Sequence, residues 1–276
     1  MAIQKFKRVE KKYIITLKQK DELLEILKSY MEIDAFCKNG NMYTIENLYF
    51  DMGDMSVIRR SLERPRYKEK LRIRKYSGDD RYFLEVKKKL NGIVGKRRIL
   101  LNKEQAMNFI NDQTLPTFSN EVDNHIKKEI EYYLSHHPVK PSTLVKYDRY
   151  ALFGKDDKSL RITFDLELKS NRKNVEFDKG VYDNYIIPPD LCILEIKTSR
   201  NYPLWLAKAL SKIKIYPHTF SKYGKDHENS VKEKIGVFYE LIRYNFRTII
   251  FIWKSYPFIM RFINIGFLIL LGIFIY

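Results

Sequence analysis

Between Tyr67 and Tyr76 the chain alternates polar and apolar residues, and Lys68, Lys70, Arg72 and Arg74 fall on every second position. Alternate side chains of an extended strand share one face, so this run predicts a strand with a row of cations on one side. Like charges in a row repel, and a polyanion lying along that face is the arrangement that relieves them. The same parity recurs in Arg81 to Lys89, where Glu85, Lys87 and Lys89 oppose Leu84 and Val86. In Leu160 to Glu167, Arg161, Thr163, Asp165 and Glu167 oppose four apolar residues. Glu195 and Lys197 oppose Leu194 and Ile196, Tyr147 aligns with Arg149, and Arg8, Glu10 and Lys12 align in the first strand.

Strands are predicted over Phe6–Thr16, Tyr43–Asp51, Tyr67–Tyr76, Arg81–Lys89, Ile93–Leu101, Thr143–Leu152, Ser159–Glu167 and Leu191–Thr198. Asn91-Gly92 is a two-residue hairpin signal. Helices are predicted over Lys18–Tyr30, with Leu23, Leu24, Leu27 and Met31 on its apolar side, and over Ser56–Leu62, Asn102–Asn111, Asn120–His136, Tyr202–Ile213 and Val231–Phe246, with Asn102 and Gln105 spaced as a capping box. Val175–Pro189 reads as loop. The fold class expected is α+β: an antiparallel β-barrel, closed or nearly so, with its polar strand faces turned inward and helices covering its apolar exterior.

Composition fits this picture. The chain has 276 residues and a formal net charge of +17, with 14% aromatic residues. A strongly basic protein serves nucleic acid, an anionic surface or a phosphate-rich ligand. The basic strands lack the aromatic signature of RNA recognition, so no nucleic-acid partner is expected. Two distant cysteines, Cys37 and Cys192, argue for a reduced compartment without a disulfide framework. Phe258–Tyr276 is almost wholly apolar and predicts a single C-terminal membrane span, with flanking Arg and Lys keeping the main domain cytoplasmic. The organisation expected is a catalytic domain over 1–228, an amphipathic linker helix over 229–255 and an anchor over 256–276. A single span builds no channel, so any translocation would need homo-oligomers or a partner.

Arg and Lys bind phosphate, Arg in a bidentate manner and Lys as a point charge. A carboxylate inside such a site suits a divalent metal bridging phosphate oxygens. Glu195 leads the metal candidates, followed by Glu10 and Glu85; an ion pair with a neighbouring cation is the alternative for each.

The motifs R-V-E-K-K-Y (Arg8–Tyr13), N-L-Y-F-D (Asn47–Asp51), Y-K-E-K-L-R-I-R (Tyr67–Arg74), F-L-E-V-K-K-K (Phe83–Lys89), K-R-R (Lys96–Arg98), V-K-Y-D-R (Val145–Arg149), L-R-I-T-F-D (Leu160–Asp165), L-E-I-K (Leu194–Lys197) and F-S-K-Y-G (Phe220–Gly224) occur in order. This ordered set resembles the VTC domain of polyphosphate polymerases. That domain belongs to the triphosphate tunnel metalloenzymes, which include CYTH-type adenylate cyclases and thiamine triphosphatases. Arg8 stands where the superfamily's Glu-x-Glu-x-Lys strand has its first Glu, a departure that suits the polymerase branch. The resemblance implies a stand-alone bacterial version without the SPX domain of eukaryotic members. It implies ATP and inorganic polyphosphate as ligands and Mn2+ or Mg2+ as cofactor. It assigns phosphate contacts to Lys12, Arg72, Arg74, Lys87, Lys96, Arg149, Arg161, Lys197 and Lys222, a phosphate hydrogen bond to Tyr147, and the metal to Glu195. Arg98 shares the parity of Lys96, Arg97 does not, and the choice among the three stays open. A tri- or polyphosphate hydrolase of the same fold and a non-catalytic polyanion binder are the competing readings.

Overall fold

The computed structural model describes residues 9–37, 40–91, 93–179, 182, 184–199 and 201–255, with side chains through 242. The chain divides into two units, 1–227 and 228–276.

The first unit is built on one antiparallel sheet. Its strands are β1 (Val9–Thr16), β2 (Met31–Ile33), β3 (Tyr43–Asp51), β4 (Tyr67–Tyr76), β5 (Tyr82–Leu90), β6 (Ile93–Leu101), β7 (Lys140–Gly154), β8 (Arg161–Asn171), β9 (Asn184–Tyr185) and β10 (Leu191–Thr198). The main path runs β1-β10-β8-β7-β3-β4-β5-β6, with β2 on β7 and β9 on β8. The helices are α1 (Leu17–Leu27), α2 (Ser56–Leu62), α3 (Lys103–Asp112), α4 (Glu121–His136), α5 (Leu204–Lys212) and α6 (Lys222–Ser255).

Local chemistry sets the boundaries. Thr16 and Gln19 close a capping box on α1, and Asn102 and Gln105 close the predicted one on α3. Leu90 pairs with Ile93 across the Asn91-Gly92 turn, where Asn91 takes a left-handed φ of 47°. The structure departs from the sequence expectation at Met31, which was placed on a helix face. It lies instead in β2 because a pairing with Gly154 of β7 captures it. Strand β8 runs past its predicted end because Glu167, at φ 49°, absorbs a bulge beyond which pairing with β7 resumes. The short β9 lies inside the segment read as loop.

Apolar faces of the strands pack outward. Leu71, Ile73, Leu84 and Val86 are fully buried beneath α3 and α4 with Phe109 and Ile130. Ile162, Leu194 and Ile196 are buried beneath α1 and α5 with Leu23, Leu27 and Leu206. Each such side chain contributes roughly 1.5–3 kcal/mol on burial, which fixes strand register and turns the alternate residues inward. The two ends of the path, β1 and β6, share no ladder among the described residues, so hydrogen bonds do not close the barrel there. The edge of β1 is partly covered by the segment before α6: His218 N–H donates to the Lys12 carbonyl at 2.7 Å.

In the second unit, α6 continues to Ser255. Among the described residues no helix is long and apolar enough to cross a membrane. Charges at Lys232, Glu233, Lys234, Glu240, Arg243, Arg247 and Lys254 interrupt the apolar stretches of α6. The expected membrane location is corrected on this finding. The predicted span over 256–276 lies outside the described residues.

Candidate active site

Strand β4 turns Leu71 and Ile73 into the core, so Arg72 and Arg74 face the other way. Arg74 is buried, donating from Nε to Asn47 Oδ1 at 2.8 Å and from a terminal nitrogen to the Tyr147 hydroxyl at 3.4 Å. Arg72 donates to Glu85 Oε2 at 2.8 Å and to the Tyr49 hydroxyl at 3.1 Å. Lys96 of β6 pairs with the other oxygen of Glu85. Burial alone would raise the Glu85 carboxyl, but Arg72, Arg74 and Lys96 outweigh it and hold the group at about 2. Burial pushes the Lys96 ammonium down to about 8 against the pull of Glu85.

A second cluster joins β7, β8 and the start of α6. Arg149 grips the fully buried Asp165 through two hydrogen bonds of 2.6 and 2.8 Å. The Lys222 ammonium also donates to Asp165 and lies 4.4 Å from the centre of the Tyr147 ring. Burial would raise the Tyr147 hydroxyl, yet Arg74, Arg149 and Lys222 bring it down to about 8.

On β1 and β10, antiparallel register sets Lys12 opposite Glu195 and Glu10 opposite Lys197. Lys197 pairs with Glu195 at 2.6 Å and with Glu10 at 3.7 Å, and Lys12 lies 3.5 Å from Glu10. Lys12 also donates to the Phe220 carbonyl at 3.2 Å. Burial opposes ionisation of Glu195, but Lys197, Lys12, Lys222 and Arg149 hold its carboxyl well below the usual range.

Lys87 of β5 completes the enclosure. Burial pushes its ammonium down to about 8, with Glu10 opposing and Lys12 and Arg72 adding to the fall. Strands β1 and β4 stand far apart in the sheet order, yet Lys12 donates to the Phe220 carbonyl at 3.2 Å and Lys70 to Ser221 Oγ at 3.5 Å, so the sheet curls until the two face each other across a lumen. Lys70 lies in the same space. Its ammonium is pushed down to about 7 by burial and by Lys68, Lys87 and Lys12, with Asp51 opposing. Among the described residues neither Lys70 nor Lys87 has a carboxylate within ion-pair distance; Lys70 donates to Ser221 Oγ at 3.5 Å.

The lumen therefore gathers Lys12, Arg72, Arg74, Lys87, Lys96, Tyr147, Arg149, Glu195, Lys197 and Lys222, with Glu10 and Glu85. Register sets two further predicted residues beside these clusters, Arg161 opposite Lys197 and Arg98 opposite Glu85, though their own contacts lie elsewhere. Arg161 donates to Asp34 at 3.1 Å and stacks 4.9 Å from the Phe153 ring. Arg98 is exposed over the Phe83 ring at 5.1 Å. Arg97, opposite in parity, turns away to Glu129 of α4. Asn47, Tyr49, Lys70 and Asp165 were not singled out as site residues from sequence. Parity already put Lys70 and Asp165 on the lumen face, but nothing local marked their partners.

The three metal candidates do not form one group: no set of three or more His, Cys, Asp or Glu side chains suited to a metal occurs among the described residues. Glu85 is ion-paired with Arg72 and Lys96, although its buried Oε1 makes no hydrogen bond of good geometry among the described residues. The surroundings of Glu195 fit a metal–phosphate pair better. Thr163, its register partner on β8, has a buried Oγ1 without a hydrogen-bond partner among the described residues. Mg2+ characteristically takes one or two carboxylates and completes its shell with water and substrate phosphate, a donor set Glu195 and Glu10 can supply.

The VTC domain profile matches residues 7–229. The chain belongs to the VTC domain family. Its fold is the triphosphate tunnel shared with CYTH-like proteins. A candidate adenylate cyclase from Bacillus halodurans is similar at 14% identity and TM-score 0.50, over 78% of this chain and 93% of that one. A candidate adenylyl cyclase from Hippeastrum with a dominant triphosphatase activity is similar at 12% identity and TM-score 0.45, over 80% and 96%. A Pyrococcus horikoshii protein is similar at 16% identity and TM-score 0.40, over 80% and 99%. The first of these likenesses supports the fold and nothing finer. No curated protein matches the chain.

Proposed function

We propose that this VTC domain is a metal-dependent polyphosphate polymerase that transfers the γ-phosphate of ATP to a growing polyphosphate chain inside the tunnel. The observation that carries the reading is the pair Lys70 and Lys87, half-buried beside Lys12 without carboxylate partners among the described residues. The cluster of Arg72, Arg74, Arg149 and Lys222 forms one anion site in which Glu85 and Asp165 already take part of the charge. Further unpaired cations beyond it suit an anion that continues, which a polymer does and a single triphosphate does not.

In this reading Arg72 and Arg74 grip the transferring phosphoryl group, their side chains fixed beforehand by Glu85, Asn47 and the tyrosine hydroxyls. Arg149 and Lys222, aimed by Asp165, offset charge on its other side. Lys12, Lys87, Lys96 and Lys197 hold the chain. Glu195 and Glu10 would hold Mn2+ or Mg2+, which would supply positive charge to offset that of the transferring phosphate. A terminal oxygen of the acceptor chain forms a bond to the γ-phosphorus. The bond from that phosphorus to the β–γ bridging oxygen breaks, and ADP leaves with that oxygen. Positioning and fixed charge supply most of the rate in such a transfer.

The test is to incubate the purified chain with ATP and Mn2+ and resolve the products by electrophoresis. Polyphosphate with matching ADP is expected, and Arg74→Ala and Glu195→Ala should each abolish it. Orthophosphate release without chain growth would replace the polymerase by a hydrolase. Anion binding without turnover would replace it by a binder.

A further inference from the structure

Lys222 is unlike the other lumen lysines: it comes from the first residue of a helix, so no strand register fixes its depth. The next residue does. The Tyr223 hydroxyl donates to Asp51 Oδ2 at 2.6 Å, and its ring stacks on Tyr49 at 4.5 Å with an interplanar angle of 11°. Asp51 is itself immobilised at the end of β3. Its Oδ1 accepts from Val57 N–H at 2.9 Å and its Oδ2 from Ile58 N–H at 3.0 Å, anchoring it on the first turn of α2. Gly224 lets the backbone come this close: a Cβ there would meet Leu62 of α2 at 2.9 Å and Ser221 at 3.2 Å. Arg172 and Asp226 pair one turn further along. Tyr49 also accepts from Arg72, so one aromatic pair links the lysine's helix to an arginine of the opposite cluster.

We propose that the Tyr223–Asp51 hydrogen bond is a latch that sets Lys222 at Asp165 and so completes the anion site, with Tyr223 a positioning residue. The proposal rests on the tunnel reading for its consequence, though not for its geometry. Breaking the latch frees the first turn of α6 to withdraw, and Lys222 then leaves the lumen while every strand cation stays in place.

The decisive variant is Tyr223→Phe, which keeps the ring stack and removes only the hydroxyl. The full chain is treated with an amine-acylating reagent and each lysine is followed by mass spectrometry. Lys222, almost wholly covered at 12% side-chain exposure, is expected to label several-fold faster in Tyr223→Phe, while Lys197 labels unchanged. Equal Lys222 labelling in the two proteins overturns the latch, as does a uniform rise across all lysines, which would report general loosening. Calorimetric binding of inorganic tripolyphosphate gives the second readout. Tyr223→Phe should weaken it about tenfold, in line with loss of one hydrogen bond to a charged group, and should have no further effect in a Lys222→Ala background. The same loss in both backgrounds overturns the latch. If the unaltered chain fails to bind tripolyphosphate, the tunnel reading falls, and the labelling result still decides the latch.

Discussion

The two sides of the lumen handle like charge in opposite ways. Around β4 to β6, Arg72 and Lys96 share the carboxylate of Glu85, and Arg74 rests on Asn47 and Tyr147. Around Lys12, Lys70 and Lys87, cations from β1, β4 and β5 face one another, and burial with mutual repulsion lowers the last two ammonium groups. The first region is finished before any ligand arrives. The second is left electrostatically incomplete, at a cost to the empty fold that an incoming polyanion would relieve. A paired cluster orients; an unpaired one attracts.

Removing the carboxylate that completes the first region should break the comparison most forcefully. Glu85→Gln leaves Arg72, largely buried, without its counter-charge and Lys96, which is exposed, without its partner, and breaking a buried pair typically costs about 3–5 kcal/mol. Denaturant unfolding should show that loss, and saturating tripolyphosphate should restore part of it by supplying negative charge from outside. A variant as stable as the parent would mean that Glu85 neutralises nothing of consequence.

The second region predicts the opposite sign. Lys70→Met replaces a half-buried ammonium that has no carboxylate partner by an apolar chain of similar length, so the empty protein should gain up to about 1 kcal/mol, the low end of the range for replacing buried charge by hydrophobic packing. Tripolyphosphate affinity should fall at the same time. Stability and binding moving together, in either direction, would erase the distinction between the regions.

How much of this was legible in the sequence depends on range. Parity oriented β4, β5, β8 and β10 correctly because burial of Leu71, Ile73, Leu84, Ile162 and Leu194 decides the face, and the period of a strand is local. It also separated Arg97 from Lys96. What parity could not show is which charges meet. Asp165 looked like one more polar residue of an alternating strand, and its partners lie 16 residues before it and 57 after. Glu85 read as a metal candidate because its claim by Arg72 and Lys96 depends on how three strands align. The helical reading of Met31 failed for the same reason, since its pairing partner is Gly154.

The smallest expected effect is the most specific to the unpaired region. The Lys70 ammonium sits at about 7 in the folded chain, against an ordinary 10.5, because burial and the charges of Lys68, Lys87 and Lys12 disfavour the proton. Between these values the unfolded chain holds a proton on Lys70 that the folded chain lacks. Linkage then requires the stability of the empty protein to rise with pH across that window, and the slope should flatten in Lys70→Met. Ligand reverses the preference, because a bound polyanion stabilises the charged ammonium. Binding at pH 8 should therefore take up protons, and affinity should fall as pH rises, by at most about tenfold per unit for one proton. Calorimetry in buffers of different ionisation enthalpy counts those protons directly. Uptake that shrinks in Lys70→Met and persists in Glu85→Gln would assign the coupling to the unpaired cations; equal uptake in all three proteins would show that the paired and unpaired sides titrate alike.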